Sequence, residues 1–490
     1  MEKAEKIKIS SASAVTLLEN TETSHPFGGA LWQVFPMNLA EYGYTEEEYS
    51  VEGLANIYTW PEDAGHARVA MQNAPYGSRI LVRKPADPAC FSGTVFIEML
   101  NWARGYDRTI CSWGNCHEQI MQKGDAWIGV TIRSSVIDNL KKFDPARYGR
   151  LSFENPVPRE HRVDRPQSNT YHDDYTDPDR ENGLTWDFYS QTAILVREQD
   201  PRNPLDGYGV RTVIGTGATA GDLATYAAAI DPVVCASDGS NIFDGFLIFM
   251  TGAPGNVNQY EEKLHYMDPR CRFYGKVPLI RAYTCKDMLG GGFHPDWAYM
   301  QRRNDSDGDE AGNYYRSYEI AGTSLFLSYT YHLEPCHEDV AKMGLVIKNY
   351  RTGKKWTEED LKAFEFPTRY ALDAMHENLK LWIAEGIAPP CCKPYETEHA
   401  YPATELAEDE YGNVLGGLRL PYLRVPAYHL RKDAKAEAFG QELLIRLYKD
   451  AGSYAAKVAQ ACEDCVRERI LTRRDADKII REARETDLFR

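Results

Sequence analysis

The residues with the clearest chemical meaning run from Arg211 to Ile230, RTVIGTGATAGDLATYAAAI. Thr212, Val213 and Ile214 read as a buried strand, Gly215, Gly217 and Gly221 as a glycine-rich turn, and the chain from about Asp222 as a helix of small residues. Strand, tight turn and helix in that order make a nucleophile elbow, which lifts a catalytic serine above a sheet as G-x-S-x-G. Here the serine is missing. Counted from Gly215 the nucleophile position is Gly217; counted from Gly217, as G-x-T-x-G, it is Thr219. A hydroxyl nucleophile needs a base to take its proton. Gly217 has no hydroxyl, and Thr219 has no identified base.

The other reactive side chains point to less chemistry. Cys462 and Cys465 form a lone CxxC in a charged helical pattern, while Cys111, Cys116 and His117 lie together, as do Cys336 and His337. A closed zinc site needs about four ligands at regular spacing, and no second CxxC or H-x₃₋₅-H supplies them, so neither a metal nor a cofactor is expected. The 11 cysteines are odd in number and irregularly spaced, which suits reduced, buried thiols better than a disulfide framework.

The elements that must position this stretch alternate. Ile80 to Val82, within residues 74–85, read as a strand ended by Pro85, and GTVFIEMLN (93–101) and DAWIGVTI (125–132) as buried strands. FDGFLIFM (243–250), VPLIRAY (277–283) and YRSYEIAG (315–322) add three more, and Tyr49 and Val51 suggest strand pairing in the N-terminal layer. Residues 119–123, 187–197 and 356–386 read as helical, the last with Leu372, Met375, Leu379 and Trp382 as a core-packing stripe. Strands alternating with helices argue for a mostly parallel sheet with right-handed crossovers. Residues 140–185, rich in Pro, Asp, Arg and Tyr, read as a loop excursion or lid whose charges form a solvated face. Residues 335–410 read as a helical and loop insertion, 412–426 as turn-rich, and 427–490 as C-terminal helices, roughly 440–470 and 475–487, with Asp475 as an N-cap. One domain over 1–490 accommodates all of this.

A net charge of -16 argues against nucleic acid or an anionic membrane as partner. No apolar run approaches the roughly 18–20 residues of a membrane span. The start, MEKAEKIKISSASAVTLL, lacks the apolar core of a secretory signal, so a cytoplasmic location is expected. The expected partner is a small-molecule substrate; self-association stays open.

Several stretches together resemble the large α/β-hydrolase-domain family of bacterial proteins described as esterases or lactonases. They include GYTEEEYSVEGLANIY (43–58), APYGSRILVRKPAD (74–87), GTVFIEMLN (93–101), GDAWIGV (124–130) and FDPARYGRLS (143–152). VPLIRAYTCKD (277–287), YRSYEIAGTS (315–324), LKLWIAEGIAPP (379–390) and GGLRLPYLRVP (416–426) continue the likeness over nearly the whole chain. The resemblance implies an α/β-hydrolase fold, with a mostly parallel sheet of about eight strands flanked by helices, lid-like insertions and a helical C-terminal extension.

The departures from the family pattern fall on the catalytic positions. Anchored on Leu223, Thr225 and Tyr226, the family's nucleophile falls on Gly217 and its second serine on Thr219. Where the family has histidine after A-G-T-S, this chain has Leu325 after Ala321, Gly322, Thr323 and Ser324. Where an acidic residue stands two positions before the aspartate, it has Cys285, with Asp287 kept. Nucleophile, base and acid are changed together, which implies that the serine-hydrolase triad is gone.

Backbone donors do not depend on lost side chains. In this fold the oxyanion hole uses the N–H after the nucleophile, here Ala218, and one from a loop matching Asn101, Trp102, Ala103, Arg104, Gly105 and Tyr106. Such donors without a nucleophile suit an enolate. The leading expectation is therefore proton-transfer chemistry of isomerase or lyase type beside a carbonyl, on a ring-bearing small molecule, with Asp287 and His294 as acid/base candidates and Tyr106 and Tyr226 behind them. Asp287 reads equally as a capping or turn residue, His294 as an exposed loop histidine, and Cys285 as an inert buried thiol. A hydrolase with its triad relocated to His332 or His337, and a binding protein without chemistry, are the alternatives.

Overall fold

The structure, a computed structural model, describes residues 6–61, 65–162, 177–218, 221–250, 256–259, 264, 268–273, 275–288, 306–323, 328–349, 353–362, 366–399, 405–430 and 436–489. Its contacts cluster into two units. Unit 1 is Met1–Ile248, Ala253–Val277 and Tyr329–Ile347; unit 2 is Phe249–Gly252, Pro278–Ser328 and Lys348–Arg490.

Unit 1 is built on a sheet. Its strands are β1 (Ile7–Ile9), β2 (Ala14–Leu17), β3 (Tyr44–Thr59), β4 (Arg68–Pro85), β5 (Thr94–Met99), β6 (Ala126–Val130), β7 (Thr212–Ala218), β8 (Val234–Ala236) and β9 (Gly245–Phe249). The order is β9-β7-β5-β6-β4-β3-β2, while β1 and β8 pair separately. β5 runs parallel to both β6 and β7; β4, β3 and β2 add on in antiparallel fashion. Every residue of β5 and β6 is buried, as their near-continuous apolar runs imply for strands covered on both faces, and the one charge in β5, Glu98, is satisfied by the amides of Cys111 and Trp113. The edge strand β2 is short and lies outside the sequence reading.

Helices α1 (Ser112–Lys123), α2 (Ser134–Phe143), α3 (Pro145–Tyr148), α4 (Thr185–Leu195) and α5 (Asp222–Thr225) belong to this unit, and α5 runs on into a π-helical turn, Tyr226–Ile230. α1 is a full helix where the sequence suggests only residues 119–123. It stops at Gly124, whose φ of 71° no L side chain adopts comfortably; a Cβ there would also meet the carbonyl oxygen of Cys90 at 2.1 Å.

The excursion at 140–185 is only partly a solvated loop where the structure describes it: residues 158–161 are exposed, but its start is not. α2 and α3 occupy its start, and Arg147 and Tyr148 are buried. Arg147 Nε donates to Glu48 Oε2 at 2.5 Å, and its terminal nitrogens hold the carbonyls of Leu18 and Glu19 at 2.8 and 2.9 Å. Glu48 also takes Arg79, which reaches Asp107 Oδ2 at 2.8 Å, and the Tyr148 hydroxyl at 2.9 Å. Charges buried this deeply need such partners, and a charge-rich sequence does not reveal which of its charges have them. Residues 163–176 of the excursion lie outside the described residues.

Unit 2 holds β10 (Leu279–Thr284), β11 (Gly308–Glu310) and β12 (Asn313–Ile320), with β10 parallel and β11 antiparallel to β12. α6 (Cys285–Met288) follows β10 directly, and the helix Thr368–Glu385 buries Leu372, Met375, Leu379 and Trp382 as its stripe implies. The C-terminal pattern is three helices, Gln441–Tyr448, Ala451–Arg467 and Arg473–Arg484, the first two separated at Lys449 with φ 71°. Asp475 is not the N-cap of the last. Thr472 is, accepting from the Asp475 amide at 3.2 Å while its hydroxyl donates to Asp475 Oδ2 at 2.6 Å. A capping box places the acid three residues inside the cap, and sequence alone does not separate the two roles.

Candidate functional site

The stretch from Arg211 to Ile230 folds differently from the expected turn. β7 runs on through Gly215 and Gly217 to Ala218, with Gly217 in register with Met99 of β5. Gly217 is extended, and Gly221, immediately before α5, is left-handed with φ 81°. The connection between strand and helix is therefore Thr219, Ala220 and Gly221, of which Thr219 and Ala220 lie outside the described residues. Close packing accounts for the two earlier glycines. A Cβ on Gly215 would meet Phe246 at 2.6 Å and the Tyr189 hydroxyl at 2.8 Å; one on Gly217 would meet Leu223 Cβ at 3.1 Å. Two residues apart on a strand, they present one face, where α4 and α5 approach.

In parallel α/β sheets ligands sit beyond the carboxyl ends of the strands. Three chain segments converge there in unit 1. After β5 come Asn101 and Trp102, after β6 comes Arg133, and after β7 comes Asp222. The Trp102 indole N–H donates to Asp222 Oδ2 at 2.7 Å, and Arg133 Nη2 donates to Asp222 Oδ1. The Arg133 guanidinium lies 4.8 Å above the Trp102 ring. Asp222 is 5% exposed and Arg133 1%. This ion pair is thus held in low dielectric by a third side chain, where electrostatic effects are large.

The loop after β5 is closed on itself. Asn101 and Arg108 exchange backbone hydrogen bonds at 2.9 and 3.0 Å, and the Gly105 amide (φ 78°) donates to the Trp102 carbonyl at 2.8 Å. The Asn101 side chain donates to the Ala218 carbonyl at 3.4 Å and accepts from Arg108 at 3.3 Å, tying the loop to the end of β7. Glu334 clamps the loop from outside, taking Arg108 Nε at 2.6 Å and the Tyr106 hydroxyl at 3.0 Å. Burial, reinforced by Glu334, pushes the Tyr106 phenol well above its ordinary range, so it stays protonated. Ala103, Arg104 and Gly105 form the partly exposed tip.

The expected residues divide. Ala218, Asn101, Trp102, Arg104 and Tyr106 gather at this edge, beside Gly217. Asp287 belongs to unit 2, where it caps its own helix. Its Oδ2 accepts from the Thr284 amide at 2.7 Å and the Thr284 hydroxyl at 2.8 Å, the capping alternative read from the sequence. Cys285, also in unit 2, is buried against the Tyr395 hydroxyl at 3.6 Å, and desolvation raises its thiol. That environment disfavours a thiolate. The Tyr226 hydroxyl is buried and shares a 2.8 Å hydrogen bond with Ser190. His294 and Leu325 lie outside the described residues.

Cysteine chemistry is muted throughout. All eleven are free; Cys462 and Cys465 are buried in one helix, and Cys111, beside Gly217, has its thiol raised well above the ordinary range by burial and by Glu98. Glu98 caps α1 through the Cys111 and Trp113 amides, each at 2.9 Å. Among the described residues no three metal-ligand side chains converge, and no helix is long and apolar enough to cross a membrane.

Asp222, Arg133, Arg108 and Glu334 go unnoticed as site residues in the sequence. Arg133 sits three residues past the end of β6, the one local signal that it belongs to the carboxyl edge. Its pairing with Asp222 spans 89 positions, and no local pattern encodes it.

The sequence profile of a family described as "Alpha/beta hydrolase domain" matches residues 13–481. No functionally curated protein matches. Among solved structures, esterase Est22 is similar at 13% identity over 63% of this chain and 82% of its own, with a TM-score of 0.30. A fungal esterase from Rhizomucor miehei is similar at 9% identity over 69% and 85%, with a TM-score of 0.29. Likenesses this faint say nothing of substrate, and the assignment rests on the profile, which covers almost the full length. The chain belongs to the α/β-hydrolase domain family and has its fold.

Proposed function

We propose that this hydrolase-fold protein works without an acyl-enzyme, as an isomerase or lyase that moves a proton beside the carbonyl of a small, ring-bearing molecule. One observation carries the reading. At the carboxyl end of β7, Gly217, the position the family resemblance implies for the nucleophile, is a strand glycine packed against Leu223, and Asp222 and Arg133, which follow β7 and β6, hold each other. Ester hydrolysis through a serine has no hydroxyl to start from at Gly217. An enolate, by contrast, needs only fixed positive charge or donors near its oxygen and a base for the carbon-bound proton. Arg133, fixed by Asp222 and Trp102, supplies such charge beside Ala218 and the Asn101–Tyr106 loop. The ring in the substrate rests on the aromatic side chains packed into this edge, Trp102 and Tyr106, both buried in the free protein.

A second reading, a binding protein that has lost chemistry, draws on the same pair, since an Asp–Arg couple already satisfied within the protein has less to offer a reacting molecule. Relocation of a triad to His332 or His337 finds less support. His332 packs on Phe35 with ring centroids 4.3 Å apart, and His337 Nε2 faces the Tyr331 hydroxyl at 3.0 Å, so neither is set against a carboxylate and a nucleophile.

Incubation with phenylpyruvate, acetophenone and related enolisable carbonyl compounds in D₂O, followed by proton NMR, tests the proposal. Loss of the α-C–H signal faster than in protein-free buffer supports it. No exchange and no product from any compound would leave the binding reading in its place.

A further inference from the structure

We propose that His25, oriented by Asp339, is the base that removes the proton in this reaction; the inference rests on the proton-transfer reading above. His25 Nε2 lies 2.8 Å from Asp339 Oδ2, with side-chain exposures of 15% and 3%. A carboxylate only accepts, so Nε2 carries the hydrogen and, in the neutral ring, Nδ1 keeps its lone pair. No hydrogen bond engages Nδ1 among the described residues, and the ring retains partial access to solvent. Trp32 stacks on it at 4.3 Å with an interplanar angle of 8°, and Phe143 packs on it edge-on at 5.4 Å. Lys342 Nζ takes the other Asp339 oxygen at 3.1 Å, so the carboxylate cannot swing away freely. A base held by a third group, with its reactive nitrogen left open, is the arrangement general-base catalysis needs.

Other described histidines are spent differently. His117 and His376 each turn Nδ1 to a carbonyl of their own helix, His429 faces the Tyr411 carbonyl, and His399 meets Glu405 only at 4.0 Å with both side chains exposed. Among the described residues His25 makes the one part-buried imidazole–carboxylate pair.

Its place in unit 1 connects it to the carboxyl edge by two routes. Phe27, two residues on, packs edge-on against Tyr106 at 6.1 Å. Asp339 follows Glu334 in the segment that clamps the loop after β5. In the step, Nδ1 takes the proton from the carbon beside the carbonyl, and the C–H electron pair becomes the enolate. The imidazolium then returns the proton to another carbon or to a leaving group, which restores the neutral ring.

The test is the D₂O exchange of phenylpyruvate by the full chain and by His25→Ala, with and without added imidazole, and by Asp339→Asn. The expectation is a loss of about 100-fold or more for His25→Ala, partial rescue by imidazole, and a shifted pH profile for Asp339→Asn. A structural role for His25 would give no rescue. Wild-type rates in His25→Ala would overturn the assignment while leaving the proton-transfer reading standing; a wild-type protein that exchanges nothing would remove both. Should the variant fail to fold, the two-bond ¹H–¹⁵N spectrum of the wild type decides. Nε2 protonated and Nδ1 bare at neutral pH is required, and the reverse tautomer rules the inference out.

Discussion

Leu223 closes the space beside Gly217: a Cβ added to the glycine would stand 3.1 Å from Leu223 Cβ, inside ordinary contact distance. A serine restored at this position is therefore not enough to restore a serine hydrolase. Gly217→Ser should leave p-nitrophenyl acetate hydrolysis at the background rate and lower stability by about 1–2 kcal/mol through overpacking, read by thermal melting. A large gain in ester hydrolysis would show that only the hydroxyl was missing.

The Arg133–Asp222 pair is a buried charge couple, and removing one member strands the other. Asp222→Ala should cost about 3–5 kcal/mol in urea unfolding. Adding Arg133→Met to that variant should recover most of the loss, because an apolar side chain needs no partner. If the double variant is no more stable than the single, the pair is not what holds the carboxyl edge together.

Asp187 sets a pH dependence of opposite sign to that of a salt-bridged carboxylate. Burial raises its pKa to about 6, although Tyr58 Oη at 2.5 Å and the Asn56 amide at 2.7 Å favour the charged form. In the unfolded chain an aspartate titrates near 3.9. Between about pH 4 and 6 the folded protein holds the proton more tightly, so stability falls as pH rises through that window, by roughly 3 kcal/mol in all. Asp187→Asn should flatten this component in a pH series of denaturant melts; an unchanged slope would place the titration elsewhere.

Asp287 is a cap in the structure, bound to the Thr284 amide and hydroxyl. Asp287 is the in-helix acid of a capping box with Thr284, so Asp287→Ala should cost about 0.3–1.5 kcal/mol and leave deuterium exchange intact. Exchange abolished without any fall in melting temperature would return Asp287 to the reaction.

What the sequence discloses follows from the range of the interactions. The near-continuous apolar runs of β5 and β6 mark doubly covered strands, and the spacing of Leu372, Met375, Leu379 and Trp382 marks a helix, because both patterns are local. Gly215 and Gly217 mislead. The residues read as turn-makers are strand residues that admit Phe246, Tyr189 and Leu223, and close approach leaves the same letter in the sequence as a turn does. Arg147 misleads in the same way, since its charge suggests solvent while Glu48, 99 positions away, buries it. The site is legible as far as the loop at Asn101–Tyr106. Arg133 with Asp222 and His25 with Asp339 are pairs that only the folded chain brings together.

The proposed function requires that no activated hydroxyl remains in the native protein, and covalent labelling reports on such a hydroxyl. The native protein should be incubated with a fluorophosphonate and its intact mass measured, with peptide mapping of any adduct. An unmodified mass is expected. Stoichiometric, denaturation-sensitive labelling of a single serine or threonine, Thr219 above all, would contradict it and show a working hydrolase nucleophile.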